Sequence, residues 1–532
     1  MSKGIRGCRA PRNRAKATIP SNGAPGRGGA SPPAYGERNV GKGRASTWEA
    51  LPGGKACRYK ETKGGKAGRE SEGVIVPVKG GQQNRPEGRT PASITRKTEK
   101  ASRRMPEVAN SFEDKVSRLQ KALYQAAKKS PNRRFHALYD KMFRTDVLNV
   151  AWKEVRANRG SGGVDGQSIE GIEKGIGVEA FLGQIQEELR TGKYQPQAVR
   201  RVEIPKPDGG SRPLGIPTVK DRVVQAACRK VIEPIFEADF KDCSHGFRPE
   251  RGAQAVHQGI RKDVTEGYNW VLDGDIRKYF DTIDQEKLMK LVELRISDRK
   301  VLKLIRGWLK AGVMKDGRKE PTDKGTPQGG VISPLLSNIY LHLMDRIWCE
   351  KHADLGKLYR YADDFVILCR RKLDANTAMV RVKGIMERLG LELHPEKTRM
   401  VDMGRGREGL DFLGFNFRKR ESRWERGKYW CMSSPSKKSM KRMGGKIKDV
   451  CADAIQQGTS VKEMVQKLNP KIRGWANYFK TGNSAKKFQA LDQYVYIKME
   501  LLWRRTHRRR VFTPETYREL GVYRASLGKA YA

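Results

Sequence analysis

Several marks of familiar protein classes are missing from this chain. Its eight cysteines, at 8, 57, 228, 243, 349, 369, 431 and 451, never form a Cys-x-x-Cys pair. That argues against a structural zinc site and against a disulfide framework, and it favours a reducing interior. The seven histidines make neither a His-x-x-x-His nor a His-Asn-His cluster. No apolar run reaches the roughly 18 residues of a membrane span. The N-terminus is basic but lacks the apolar core of a signal peptide. Asp is absent from residues 1–105, which hold 24 Lys/Arg, 7 Glu and 18 Gly. That stretch has no hydrophobic periodicity and too little apolar surface to fold, so it reads as a disordered, basic Gly/Arg-rich extension. It either brushes nucleic acid or is a featureless segment upstream of an alternative start at Met105.

Positive charge is what the chain has in excess. The formal net charge is +48 over 532 residues, and Lys and Arg are dense throughout. Such self-repulsion calls for a polyanionic partner, and a long nucleic acid fits. The length implies several domains.

The most telling stretch is Leu358-Tyr-Arg-Tyr-Ala-Asp-Asp-Phe-Val-Ile-Leu368. Apolar runs flank Asp363 and Asp364 and read as buried strands joined by a tight turn. Two carboxylates that close repel unless a cation sits between them. A second apolar approach, Trp270-Val-Leu-Asp-Gly-Asp275, ends in another carboxylate. Asp275, Asp363 and Asp364 together would make a three-carboxylate site for two Mg²⁺ ions, with Mn²⁺ as an alternative, suited to phosphoryl transfer. A lone Asp-Asp pair is more often a solvated turn; the surrounding motifs outweigh that reading here.

Arg159-Gly-Ser-Gly-Gly163-Val-Asp-Gly is a loop able to lie against a nucleic acid backbone, through Arg159 and Gly163. Asp208-Gly-Gly210 marks a β-hairpin carrying Lys206 and Arg212, a pair suited to clamping a triphosphate. Arg248 lies in a Gly-Phe-Arg-Pro loop. Phe280, five positions after Asp275, is either a core ring or a ring that excludes a ribose 2′-hydroxyl. Gly325-Thr-Pro-Gln328-Gly-Gly exposes backbone ahead of a helix beginning at Ser333-Pro334, a floor for a nascent base pair. Lys397 is a candidate phosphate contact. Helical spacing predicts helices near 110–157, 177–191, 221–233, 250–262, 284–294, 298–311, 373–389 and 484–502.

In order and spacing these motifs resemble those of bacterial group II intron-encoded reverse transcriptases/maturases, over roughly residues 110–525. The resemblance implies an α+β right-hand polymerase followed by an α-helical thumb or maturase domain. Its expected divisions are N-terminal helices and fingers over 106–265, a palm over 266–420, a maturase domain over 430–502 and a basic tail over 503–532. It implies that Asp275, Asp363 and Asp364 hold the metals and that the Ile276 carbonyl adds a ligand. Lys206 and Arg212 would bind the triphosphate, Gln328 the nucleotide, and Phe280 would discriminate against ribose.

In the C-terminal part, Lys471 and Arg473 are the favoured RNA contacts, with Trp475 and Tyr478 mostly core. Arg504, Arg505 and Arg508 offer phosphate contacts in the tail. The expected partners are group II intron RNA, an RNA template, a DNA primer or target, and deoxynucleoside triphosphates, with no membrane. The expected location is the bacterial cytoplasm, at the nucleoid when target DNA is engaged. The family often continues into a zinc-bearing His-Asn-His nuclease; with no such cluster before Ala532, no second-strand nicking is expected of this chain. Two other functions fit the same residues: an RNA-binding splicing factor without polymerisation, and a reverse transcriptase in a non-intron role such as phage defence.

Overall fold

A computed structural model describes residues 111–205, 211–315, 318–320, 322–326, 329–507 and 511–530. The extension expected over 1–105 lies outside the described residues, as do Lys206, Gln328, Arg508 and the side chain of Arg212.

The first folded segment is helical, and its patterning shows why. In helix Phe112–Lys129, Val116, Leu123 and Ala127 fall on one buried stripe, and the Ser111 side chain caps the start by accepting from the Asp114 amide. Helix Thr145–Ala157 buries Val147, Leu148, Ala151 and Trp152. Both pack on helix Val219–Glu237, capped by Thr218 and almost entirely buried.

Strands β1 (Val199–Pro205) and β2 (Ser211–Ile216) form the expected antiparallel hairpin, Pro205 opposite Ser211. Strand β3 (Trp270–Gly274) opens the central sheet. Strands β4 (Val313–Lys315) and β5 (Arg318–Glu320) extend the first hairpin to a four-stranded sheet ordered β2-β1-β4-β5. Strands β6 (Lys357–Tyr361), β7 (Asp364–Cys369) and β8 (Arg399–Asp402) join β3 in the order β6-β7-β3-β8, all neighbours antiparallel.

This central sheet divides two hydrophobic cores. Along β7, Phe365, Ile367 and Cys369 face one core, whereas Val366 and Leu368 face the other. With both faces covered, the strand reads as an unbroken apolar run and not an alternating one. The first core reaches back to the N-terminal helices and the second forward to the C-terminal ones.

Strands β9 (Leu410–Phe412), β10 (Phe415–Glu421) and β11 (Tyr429–Pro435) make a three-stranded sheet. Leu413 and Gly414, with φ of 48° and 80°, form the two-residue turn between β9 and β10, and a two-residue hairpin turn of this kind favours glycine. Helices Lys437–Gln456, Val461–Phe479 and Ala485–Thr506 follow, packed through Ile447, Met464, Leu468, Ile472, Val495 and Met499. The architecture is thus a mixed helix-and-sheet region followed by a helical one. Among the described residues no helix is long and apolar enough to cross a membrane.

Candidate active site

Strand register brings the separated carboxylates to one place. Gly274 on β3 pairs with Phe365 on β7. Asp275 follows directly on Gly274 at the end of β3, and Asp364 directly precedes Phe365 at the start of β7, so the register brings the two towards one another. Asp273, opposite Val366, lies on the same face. Asp363 occupies the two-residue turn between Tyr361 and Asp364. The electrostatics agree. The Asp364 carboxyl is open to water at its surface, yet crowding protein strips part of its hydration. That desolvation, followed by the charges of Asp363, Asp275 and Asp273, lifts it to about 6, and Lys397 offsets only part.

Asp275 is set by a segment from far along the chain. Its amide faces Thr398 Oγ1 at 3.4 Å and its carbonyl accepts from the His394 amide at 2.8 Å. Ile276 bridges to Leu393. Lys397 Nζ stands 3.5 Å from Asp275 Oδ2. Among the described residues, no three His, Cys, Asp or Glu side chains are gathered closely enough to hold an ion as they stand. The donor chemistry, three or four carboxylates crowded enough to raise a pKa, still suits a hard divalent cation.

The turn that carries Asp363 is strained and braced. Ala362 has φ 59°, a left-handed conformation that costs a non-glycine residue of order 1–2 kcal/mol. Arg360, fully buried, anchors it. Its guanidinium donates to Asn338 Oδ1 (3.0 Å), the Ala362 carbonyl (2.8 Å), Ser244 Oγ (2.7 Å) and both oxygens of the equally buried Asp345. All five N–H groups are spent. Burial alone would pull the guanidinium pKa down, but Asp345 outweighs it and the net shift is upward. From the other side Gly246 presses on the turn: a Cβ there would meet the Ala362 nitrogen at 2.3 Å. Sequence reasoning missed this brace. Its one signal was the charged Arg360 in register with buried Leu358, on the core side of β6.

Phe280 is partly buried, edge-on to Tyr279 at 5.3 Å between centroids. The loop at 325–326 backs onto it, with the Thr326 amide donating to the Phe280 carbonyl at 2.8 Å. Two nucleic-acid candidates are corrected. Gly163 is buried, and its space is needed because a Cβ would lie 2.6 Å from the Thr218 backbone; it is not displayed to a ligand. Arg248 is buried too, and its guanidinium is used up on Glu237 and on the Lys241 and Ser244 carbonyls. It braces the loop that carries Gly246. Arg159, Lys471, Arg473 and Arg505 are exposed; Arg473 stacks over Tyr523 at 5.3 Å, and exposed Arg504 pairs with Glu500. Trp475 and Tyr478 pack against the second core.

The chain is similar to known proteins over two stretches. Residues 204–417 match the family model "Reverse transcriptase (RNA-dependent DNA polymerase)", and residues 440–518 match "Group II intron, maturase-specific domain". Protein YkfC of Escherichia coli K12 is 33% identical over 347 residues, covering 58% of this chain and 90% of that protein. The group II intron-encoded protein LtrA of Lactococcus lactis subsp. cremoris is 40% identical over 215 residues, 40% of this chain and 35% of that protein. An uncharacterized 91 kDa protein in the cob intron of Schizosaccharomyces pombe is 35% identical over 215 residues, 39% of this chain and 25% of that one. The matched segment thus spans about a third of LtrA but nearly all of YkfC. With a reverse transcriptase domain carrying the carboxylate turn and a maturase-specific domain behind it, the chain belongs to the group II intron-encoded reverse transcriptases/maturases, the proteins that assist intron splicing and mobility.

Proposed function

We propose that this chain is a right-hand polymerase that copies RNA into DNA and also binds its host group II intron RNA to aid splicing. The sheet β2-β1-β4-β5 and the N-terminal helices act as fingers, the sheet β6-β7-β3-β8 as palm, and the helices from Lys437 onward as thumb. The observation that carries the reading is the strand register that sets the end of β3, just before Asp275, against the start of β7, beside the turn of Asp363 and Asp364. These three carboxylates, with the Ile276 carbonyl, would hold two Mg²⁺ ions. When bound, such ions lower the pKa of a hydroxyl and neutralise charge on a phosphoryl group.

The chain's own residues supply the rest. Lys397, beside Asp275, faces a phosphate. Lys206 and Arg212 draw in the triphosphate, Gln328 lines the nucleotide, and the Phe280 ring crowds a ribose 2′-hydroxyl. The primer 3′-oxygen attacks the α-phosphorus of a deoxynucleoside triphosphate, and pyrophosphate leaves. The exposed cations Arg159, Lys471, Arg473, Arg504 and Arg505, together with Arg508 of the basic tail, contact RNA or DNA phosphates, and the reaction takes place in the bacterial cytoplasm.

Primer extension on an RNA template with Mg²⁺ tests the reading. Asp363→Asn is expected to lower extension at least about a hundredfold, the several kcal/mol that metal stabilisation provides, while intron RNA binding stays intact. Undiminished cDNA from that variant would refute polymerisation at this site. Loss of cDNA with splicing of the flanking intron retained would show the two roles to be separable.

A further inference from the structure

One surface is used by none of these roles. The β10–β11 hairpin buries one face, Phe415, Phe417, Cys431 and Ser433, against the second core and helix Ala253–Thr265. The opposite face is open. There Arg418 pairs across the strands with Met432, and Arg420 with Trp430. Directly opposed residues put their side chains on the same face, and all four are exposed. The tip adds exposed Arg423, Trp424, Arg426 and Lys428.

Trp424 is 93% exposed and Trp430 47%. Lys428 pairs with Glu425 at 2.7 Å and sits over the Trp430 ring at 5.3 Å. Arg420, Arg423 and Arg426 have no ion-pair partner among the described residues. Exposed residues 418–432 therefore hold five cations, at 418, 420, 423, 426 and 428, against two carboxylates, Glu421 and Glu425. An indole that open to water gains nothing from folding, and interleaved cations and aromatic rings match a strand with phosphates on one side and unstacked bases on the other.

Place decides what kind of strand. The β9–β10 turn lies near the catalytic turn: the Tyr478 hydroxyl donates to the Leu413 carbonyl at 2.9 Å, and the Tyr478 pKa, raised mainly by burial, is also raised by Tyr361. From there β10 runs seven residues to the tip, about 20 Å of extended chain. The tip is thus separated from the turn of Asp363 and Asp364 by the length of that strand.

We propose that the open face and tip of this hairpin form a binding site for an unpaired RNA segment, with Trp424 stacking on a base and Arg420, Arg423 and Arg426 on the phosphates. The inference rests on the reading that this protein works on RNA. The test is fluorescence anisotropy of the full chain with a labelled 20-nucleotide oligouridylate and with a labelled 20-base-pair RNA duplex. Trp424→Ser, at a position exposed enough to leave the fold alone, is expected to weaken single-strand binding about fivefold or more and leave duplex binding within about twofold. The triple variant Arg420→Ala/Arg423→Ala/Arg426→Ala should weaken both and flatten the salt dependence by about two to three units of slope. Extension of oligo(dT) on poly(rA) by Trp424→Ser should match the unaltered protein. If the unaltered protein neither binds the oligouridylate nor extends, the proposed function itself fails. If it does both and Trp424→Ser binds the single strand equally well, or loses the duplex to the same degree, the hairpin site is refuted.

Discussion

The buried pair Arg360–Asp345 separates what holds the molecule together from what aims the turn of Asp363 and Asp364. Neither side chain is exposed at all. Arg360→Met alone leaves a buried carboxylate without its partner, and Asp345→Leu alone leaves a buried guanidinium. Each single change is expected to cost about 3–5 kcal/mol. The double change Arg360→Met/Asp345→Leu removes both charges and refills the space with apolar atoms, so most of that loss should be recovered. Catalysis should not recover with it. The Ala362 carbonyl would have lost its charged donor, a bond of about 1.5–3 kcal/mol, and the strained turn before Asp363 would be free to relax. Converted to rate, that is roughly ten- to a hundredfold in extension. Urea unfolding followed by circular dichroism reads the first quantity, and single-turnover primer extension reads the second. Single variants that each cost less than about 1 kcal/mol, or a double variant that extends like the unaltered protein, would refute the reasoning.

Gly246→Ala places a methyl group against the backbone of Tyr361 and Ala362, which cannot move aside without shifting Asp363; extension should fall by roughly a hundredfold, as for a displacement of about 1 Å, with RNA binding unchanged in anisotropy. Buried His257, which meets Ser433 Oγ through Nε2 at 2.7 Å, is held down to about 4 by desolvation and then by Arg261. Between that value and the ordinary value of 6.5 the unfolded chain binds a proton that the folded one refuses, so the His257 contribution is present at pH 7 and is lost as the pH falls from 6.5 towards 4. Urea midpoints of His257→Gln between pH 7.5 and 5 should show a pH slope shallower by up to one proton, and an unchanged slope would contradict this.

Most of the local structure was legible. Helices expected near 177–191, 298–311 and 373–389 appear as Val178–Thr191, Arg299–Lys310 and Lys372–Leu389, because each carries its own apolar stripe and end signals. Arg248 was misread because its partners Glu237, Lys241 and Ser244 surround it only once the loop folds back on helix Val219–Glu237. A cation in a Gly-Phe-Arg-Pro loop looks in sequence like one reaching for phosphate.

The chain's order of residues alone determined the class of chemistry. Apolar runs beside Asp275 and on both sides of Asp363-Asp364, taken with the motifs around them, read as short buried strands that deliver carboxylates to their ends, and the excess of cations calls for a polyanion. What only the tertiary structure decided is how the turn is held and which surface is left over. Arg360 reaches Asp345, Asn338 and Ser244 across 15, 22 and 116 positions, and Gly246 touches Ala362 from another loop. Contacts at such separations follow from packing, which no local pattern encodes. The same holds for the hairpin of Trp424: only when its other face is seen to be buried does the open one stand out.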